Sequence, residues 1–303
     1  MTALKDSEYN FIEMAKEWAS TEWQKVSTMW MDRADQDYAY RKYVIEPSLS
    51  ELISTLNLSP SSSIVEIGCG DGSHSLFWRR KLNDLGLESA RVFGVDLLES
   101  LIIKARANAK NFENISFAVA DAVDFNTAKL IHDTIGKPDV IVSMFLMQDI
   151  PDLEGVLRMV NSCLKKGGQY ISVIVNPNFA LHLADSGCVK RYKGEDLPPE
   201  HISESGVVQW HYVGYYPIVQ ADKPPFYLPY FHRSITDYHE AFQKSGFRFS
   251  REMIMMPDPN RLKMLQEERI DPFCKKPFNV YWPYIINEPS SLLIHAVCQG
   301  RIC

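Results

Sequence analysis

The chain has no Cys-x-x-Cys pair, and its six cysteines, at positions 69, 163, 188, 274, 298 and 303, show no metal-finger spacing. Thiols scattered over strand-like and helix-like segments read instead as small buried hydrophobes in a reducing compartment. No apolar run approaches the ~20 residues that a bilayer crossing needs. The opening Met1-Thr2-Ala3-Leu4-Lys5-Asp6 lacks the apolar core of a signal peptide. Cys303 is the last residue, and prenylation uses a Cys further upstream. Long runs of like charge are missing too, and the formal net charge is −6, which disfavours nucleic acid as the main partner. There is no internal repeat and no low-complexity tract. These absences lead to the expectation of a soluble, cytoplasmic protein without a membrane or nucleic-acid partner, its oligomeric state left open. Its 46% hydrophobic composition is that of a globular fold with a sizeable core.

What is present centres on Ile64 to Ser75, which reads I-V-E-I-G-C-G-D-G-S-H-S. A β-branched run ends in Glu66, two residues before the first of three alternating glycines, and an amphipathic pattern follows. That is a strand, a tight turn and a helix start. Gly68, Gly70 and Gly72 let a ligand approach the backbone closely. The dinucleotide fingerprint needs another glycine five residues after the first, and here that position is Ser73.

The E-x-G-x-G-x-G form of Glu66, Gly68, Gly70 and Gly72 resembles motif I of the class I S-adenosylmethionine-dependent methyltransferases. The resemblance implies S-adenosyl-L-methionine as methyl donor, S-adenosyl-L-homocysteine as product, and a cofactor contact for Cys69 within the turn. It extends over roughly Tyr38 to Val297 and points to the small-molecule, natural-product branch of the family. The implied fold is α/β: a Rossmann-like, mostly parallel seven-stranded sheet with an antiparallel last strand, N-terminal helices and a lid inserted after strand five.

The order of segments agrees with that expectation. Residues 1–57 carry helical patterning without strands and read as an N-terminal helical cap, with Phe11, Met14, Ala15 and Trp18 at helical spacing. A further helix there is expected to break near Pro47. By the resemblance, Tyr38 and Arg41 close over the methionine end of the cofactor, a guanidinium fork being suited to a carboxylate. An amphipathic helix with a solvated Arg is the other reading of the same residues.

Residues 58–303 read as the methyltransferase domain, because strands now alternate with helices. Strand one is Ile64 to Ile67; strand two, Arg91 to Val95, ends at Asp96, an acid placed to accept from both ribose hydroxyls. Leu97 beside it is a further cofactor contact that the resemblance implies. Strand three, Ile115 to Val119, leads to Asp121 and Ala122, which in the family meet the adenine amino group and a ring nitrogen. Asp121 also reads as a turn residue or helix cap. Strand four, Val140 to Met144, places Met144 at the cofactor and continues into Phe145-Leu-Met-Gln-Asp149-Ile-Pro-Asp, which resembles the family segment at this point. A helix from Asp152 to Leu164 and strand five, Tyr170 to Val175, follow.

From about 176 to 232 the alternation stops, and Gly206 to His232 is dense in aromatic residues. The expectation is a substrate lid at the carboxyl ends of the strands, with an antiparallel pair over 206–216 and 226–232. Asn176, Trp210, Tyr212, Tyr216 and Tyr230 are its candidate substrate contacts. Plain core packing is the competing reading of the aromatics. Asn176-Pro-Asn-Phe179 resembles a family segment in which His stands at the Asn176 position. A helix opening at Ser234 and closed by Gly246 then precedes strands Phe247 to Met255 and Ser291 to Val297.

The resemblance implies methyl transfer to oxygen or nitrogen of a small, aromatic or planar metabolite. A side-chain base is needed only where the acceptor holds a proton, and His232, His182 and His211 are the candidates, His232 first because it stands where the aromatic wall meets the next helix. No metal is expected, since Asp149 lacks the Asp-Asn partner of metal-dependent catechol enzymes. Aminopropyl transfer fits less well because Ser143-Met-Phe offers no acid after strand four. A catalytically silent cofactor-binding module and a peptide or protein methyltransferase stay open as alternatives.

Overall fold

The structure is a computed structural model that describes residues 2–34, 41–180, 190–191, 201–202, 206, 208–220, 223–255, 260 and 291–300. In chain order the elements are α1 (Thr2–Ala34), a π-helical turn (Arg41–Ile45), α2 (Glu46–Ile53), β1 (Ser63–Ile67), α3 (Ser73–Asp84), β2 (Arg91–Asp96), α4 (Glu99–Asn108) and β3 (Ile115–Val119). Then come α5 (Phe125–Ile135), β4 (Val140–Met144), α6 (Leu153–Cys163), β5 (Gln169–Val175), β6 (Lys190–Arg191), β7 (His201–Ile202), β8 (Val208–Trp210), β9 (Tyr212–Gln220) and β10 (Lys223–His232). The chain ends with α7 (Ile235–Lys244), β11 (Phe247–Met255) and β12 (Ser291–Cys298).

The β-branched runs pair into one seven-stranded sheet of order β11-β12-β5-β4-β1-β2-β3. β1 lies parallel between β2 and β4, so the chain winds outwards in both directions from that pair. Such a reversal opens a crevice at the carboxyl ends of the two strands, where the loops diverge. β12 runs antiparallel to both β5 and β11, as expected for the closing hairpin. Because the sheet is covered on both faces, β1 and β4 are buried at every residue. One face packs on α5, α6 and α7 through residues such as Ile131, Val156, Val160 and Phe242. The other packs on α2 and α3 through Leu49, Leu52, Trp78 and Leu82.

Some local outcomes differ from the sequence reading. Pro47 does not break a helix; it sits in the first turn of α2, where a missing N–H is tolerated. Helix α5 was not foreseen, although Asp124 caps it by accepting from the Asn126 N–H at 2.8 Å and Gly136 ends it. Residues 177–180 form a further helical turn at the start of the stretch where the alternation was expected to stop.

Arg79 is buried and secures α3 to the approach to β2. It donates to the Ala90 carbonyl, to Leu87 O at 3.0 Å and to Asn83 Oδ1 at 2.7 Å. Replacing Arg79 with Ala would strand two carbonyls and open a cavity, so urea unfolding should report a loss of about 3 kcal/mol.

Further strands stand apart from the main sheet. β9 and β10 form an antiparallel hairpin in which His232 pairs with Tyr212, β6 extends it, and β8 pairs separately with β7. The buried face of α1 repeats at helical spacing, with Ala15, Ala19 and Val26 inside. It covers this hairpin: Ala15 and Ala19 meet Trp210, Val213 and Phe231, and Val26 meets Leu228. These clusters are separate from the two that flank the main sheet.

Candidate active site

The turn after β1 is shaped by three residues in the left-handed region, Gly68 at φ 68°, Gly70 at 54° and Gly72 at 78°. Gly72 also has no room for a side chain, because a Cβ there would lie 2.9 Å from Phe117 Cζ. The Cys69 N–H donates to Val95 O at 3.0 Å, which ties the turn to β2. Asp96 completes the link: its Oδ2 accepts from the Gly70 N–H at 2.9 Å and its Oδ1 from the Leu98 N–H at 3.0 Å. Burial pushes the Asp96 carboxyl up, and those two backbone donors act against the shift. Each oxygen keeps a further acceptor site, so the carboxylate both braces the glycine turn and can receive a ligand's hydroxyls.

Glu66 lies beneath the turn, buried, with Oε2 accepting from the Ser75 hydroxyl and Oε1 without a hydrogen-bond partner. Burial raises its carboxyl to about 8, opposed by Ser75 and assisted by Asp71 and Asp96. His74, in the first turn of α3, has a buried Nε2 without a partner. Burial and then the nearby Arg41 guanidinium lower its pKa to about 3, so the ring is neutral at working pH. Arg41 Nε lies 3.3 Å from Glu46 Oε1 and makes no hydrogen bond. A guanidinium and a neutral imidazole, each with a buried nitrogen that makes no hydrogen bond, beside a glycine turn fit an anionic ligand group, and the residues present therefore suit the amino-acid end of S-adenosylmethionine.

At the rim, Leu97 is 45% exposed, which offers apolar surface next to Asp96. Asp121 Oδ1 accepts from the Val123 N–H at 3.0 Å, and Ala122 is buried behind it. Met144, at the end of β4, is 8% exposed. The next residue, Phe145, has φ 56°, a strained conformation for a bulky side chain. Non-glycine residues hold such angles only where their surroundings over-determine them, and such positions cluster at functional sites.

The aromatic layer brings two of the three candidate bases together. The rings of His211 and His232 lie 6.0 Å apart, and the His211 N–H donates to His232 O at 2.7 Å. His211 Nε2 lies 2.7 Å from Asp237 Oδ2. His232 is 3% exposed, stacked on Tyr212 with centroids 4.6 Å apart, and its Nδ1 lies 3.3 Å from the Tyr230 hydroxyl. Trp210 is fully buried and packs on Phe231 and α1. Asn176 Oδ1 accepts from the Asn178 N–H and its carbonyl from Ala180, so it also starts the helical turn at 177–180. Tyr216 lies in β9 opposite Leu228. Tyr38 and His182 lie outside the described residues.

Sequence reasoning passed over Asp237, Leu146 and Arg233. Asp237 carried a signal, since it stands three residues after Ser234 and closes a capping box, but nothing in the spacing marks its bond to His211. No helix among the described residues is long and apolar enough to cross a membrane, and no group of three or more His, Cys, Asp or Glu among them could hold a metal.

Comparison with known proteins agrees with this geometry. The chain is 28% identical over 131 residues to a carboxy-S-adenosyl-L-methionine synthase of Shewanella amazonensis, covering 40% of this chain and 50% of that protein. It is 25% identical over 142 residues to a ubiquinone biosynthesis O-methyltransferase of Coxiella burnetii, covering 46% and 55%. The chain thus spans about half the length of the curated relatives it matches. Among solved structures, a methyltransferase in complex with the Trm112 activator from Haloferax volcanii is 15% identical, with a TM-score of 0.55 over 94% of this chain and 99% of that one. An S-adenosylmethionine-dependent methyltransferase from Methanosarcina mazei is 16% identical, with a TM-score of 0.52 over 82% and 98%. The family profile described as "Methyltransferase domain" matches residues 58–212, more than half of the chain, and the protein belongs to that family, with the class I fold of the S-adenosylmethionine-dependent methyltransferases.

Proposed function

We propose that the protein binds S-adenosylmethionine across the β1 and β2 carboxyl ends and methylates an oxygen or nitrogen of a small, aromatic or otherwise planar metabolite. The observation that carries this reading is Asp96, whose two oxygens brace the glycine turn through Gly70 and Leu98 while keeping acceptor capacity for a ribose. Gly68, Gly70, Gly72, Cys69 and Glu66 form the cradle; Leu97, Asp121 and Ala122 border the adenine, and Met144 the reacting end. Arg41 and Tyr38 take the methionine carboxylate. The cofactor supplies a methyl group on a sulfonium, already activated for displacement. The remaining task of the chain is to hold the acceptor in line, for which aligned geometry corresponds to ~7–11 kcal/mol of barrier.

Where the acceptor carries a proton, the pair His211 and Asp237 is the best base. A carboxylate on Nε2 selects the tautomer protonated there and leaves Nδ1 to accept. Tyr212, Tyr230 and His232 line the acceptor side, with Asn176 at the end of β5; Trp210 supports them from behind. The β9 and β10 layer acts as the lid, and residues 1–57 as the cap that supports it.

Calorimetry with S-adenosylhomocysteine tests the first half, with a dissociation constant in the micromolar range expected; a folded protein that binds none removes the proposal. Labelled methyl transfer to a metabolite extract tests the second half. A protein that binds the product and labels nothing is the silent partner module instead, and label appearing only on polypeptide would point to a protein substrate.

A further inference from the structure

The loop after β4 is held by its own bonds and by contacts from the aromatic layer. Its first residue, Phe145, is left-handed at φ 56°, with its N–H donating to Val173 O at 2.7 Å and its carbonyl accepting from the Gln148 side chain. Three of its later carbonyls are gathered by one buried side chain that directly follows β10. Arg233, 0% exposed, donates through Nη1 to Met147 O at 2.9 Å and through Nη2 to Ile150 O at 2.6 Å and Pro151 O at 2.9 Å. β10 adds a backbone bond from the Phe231 N–H to Gln148 O at 2.7 Å, and the Gln209 side chain accepts from the Leu153 N–H at 3.0 Å.

The loop so clamped turns Leu146 back over the cofactor turn. A Cβ placed on Gly68 would lie 2.6 Å from Leu146 Cδ1 and 3.2 Å from its Cγ, so this side chain rests directly on the Gly68 backbone. A continuous line of contacts therefore runs from Arg233 through the Met147 to Pro151 carbonyls to Leu146 and Gly68. A guanidinium is the group that can do this, because its planar fork reaches several carbonyls at fixed angles.

We propose that Arg233 is a positioning residue for the cofactor turn: by clamping the loop after β4 it presses Leu146 onto Gly68 and couples the acceptor-side layer to the cofactor cradle. The coupling rests on the cofactor reading above. It makes donor affinity depend on a residue that belongs to the other half of the site, and by reciprocity makes the layer better ordered once the cradle is filled.

The test is a double-mutant cycle on S-adenosylhomocysteine binding by calorimetry, using the full chain. Arg233→Gln and Leu146→Ala should each weaken binding about fivefold, and the double variant should be no weaker than either alone, since both break the same line. Phe242→Leu, in the core between α7 and the sheet, serves as the stability control: it should lower the melting temperature and leave affinity unchanged. If Arg233→Gln does not fold, Arg233→Lys, which keeps the charge but loses the planar fork that spans the three carbonyls, takes its place in the cycle with the same expectation. Unchanged affinity in Arg233→Gln or its replacement, losses that multiply in the double variant, or an equal loss in Phe242→Leu would each overturn the coupling while the wild type still binds. Absence of binding by the wild type would overturn the cofactor reading, and this inference with it.

Discussion

Replacing Asp96 with Ala is expected to weaken S-adenosylhomocysteine binding by about a hundredfold, measured by calorimetry on protein shown to be folded. Two hydrogen bonds from ribose hydroxyls to a carboxylate contribute together about 3 kcal/mol, which is two decades in affinity. The structure adds a second reason. The same carboxylate fixes the Gly70 N–H and the Leu98 N–H, so its loss also loosens the turn that shapes the cradle. Asp96→Asn separates the two contributions, because an amide keeps one oxygen for a backbone donor and a ribose hydroxyl but turns its nitrogen towards the other. It should fall between wild type and Ala. An Ala variant with wild-type affinity would remove Asp96 from the ribose site.

The second large effect concerns Glu66 and stability. Its carboxyl stands at about 8 in the folded protein against 4.5 unperturbed, so between those values the folded state keeps a proton that the unfolded chain releases. Stability from this group is whole below pH 4.5 and is lost as pH rises through 8, the full change being on the order of 5 kcal/mol. His74 acts in the opposite direction: with a folded value of about 3 against 6.5, it makes stability fall as pH drops below 6.5. From pH 4.5 to 6.5 the two slopes offset one another, and from 6.5 to 8 that of Glu66 stands alone of the pair. Glu66→Gln keeps an acceptor for the Ser75 hydroxyl and removes the titration. Denaturant unfolding of the wild type should therefore show stability declining from pH 6.5 to 8, and the Gln variant should hold its value over that window and exceed the wild type at pH 8. Parallel pH profiles for the two proteins would show that Glu66 is ionised in the folded state.

Much of the parallel sheet was legible because each strand is a short β-branched run with a turn at its end and a fixed partner role. Asp96 and the glycines were legible for the same reason, since a local turn imposes its chemistry on adjacent residues. Helix α5 was missed because its buried side is sparse, with Thr127, Ile131 and Ile135 inside and Phe125 56% exposed. The left-handed Phe145 could not be read, because that conformation favours glycine and nothing local to a phenylalanine announces it. Arg233 was passed over for a different reason. Its partners are backbone carbonyls more than 80 residues earlier, and a carbonyl leaves no trace in residue identity. The pairing of His211 with Asp237 likewise depends on how a strand meets a helix cap, which spacing does not encode.

The small clusters that join α1 to β8, β9 and β10 have a consequence for exchanging parts between relatives. The family match ends at residue 212 and begins at 58, so it leaves out both α1 and β10. Yet Trp210, Val213 and Phe231 find their apolar cover on Ala15 and Ala19, residues that precede the matched region altogether. A graft of the aromatic hairpin alone would carry an uncovered hydrophobic face into its new host. The transferable cassette is therefore discontinuous: the first helix and the hairpin must travel together, and a chimera that moves both should remain soluble where one that moves either does not.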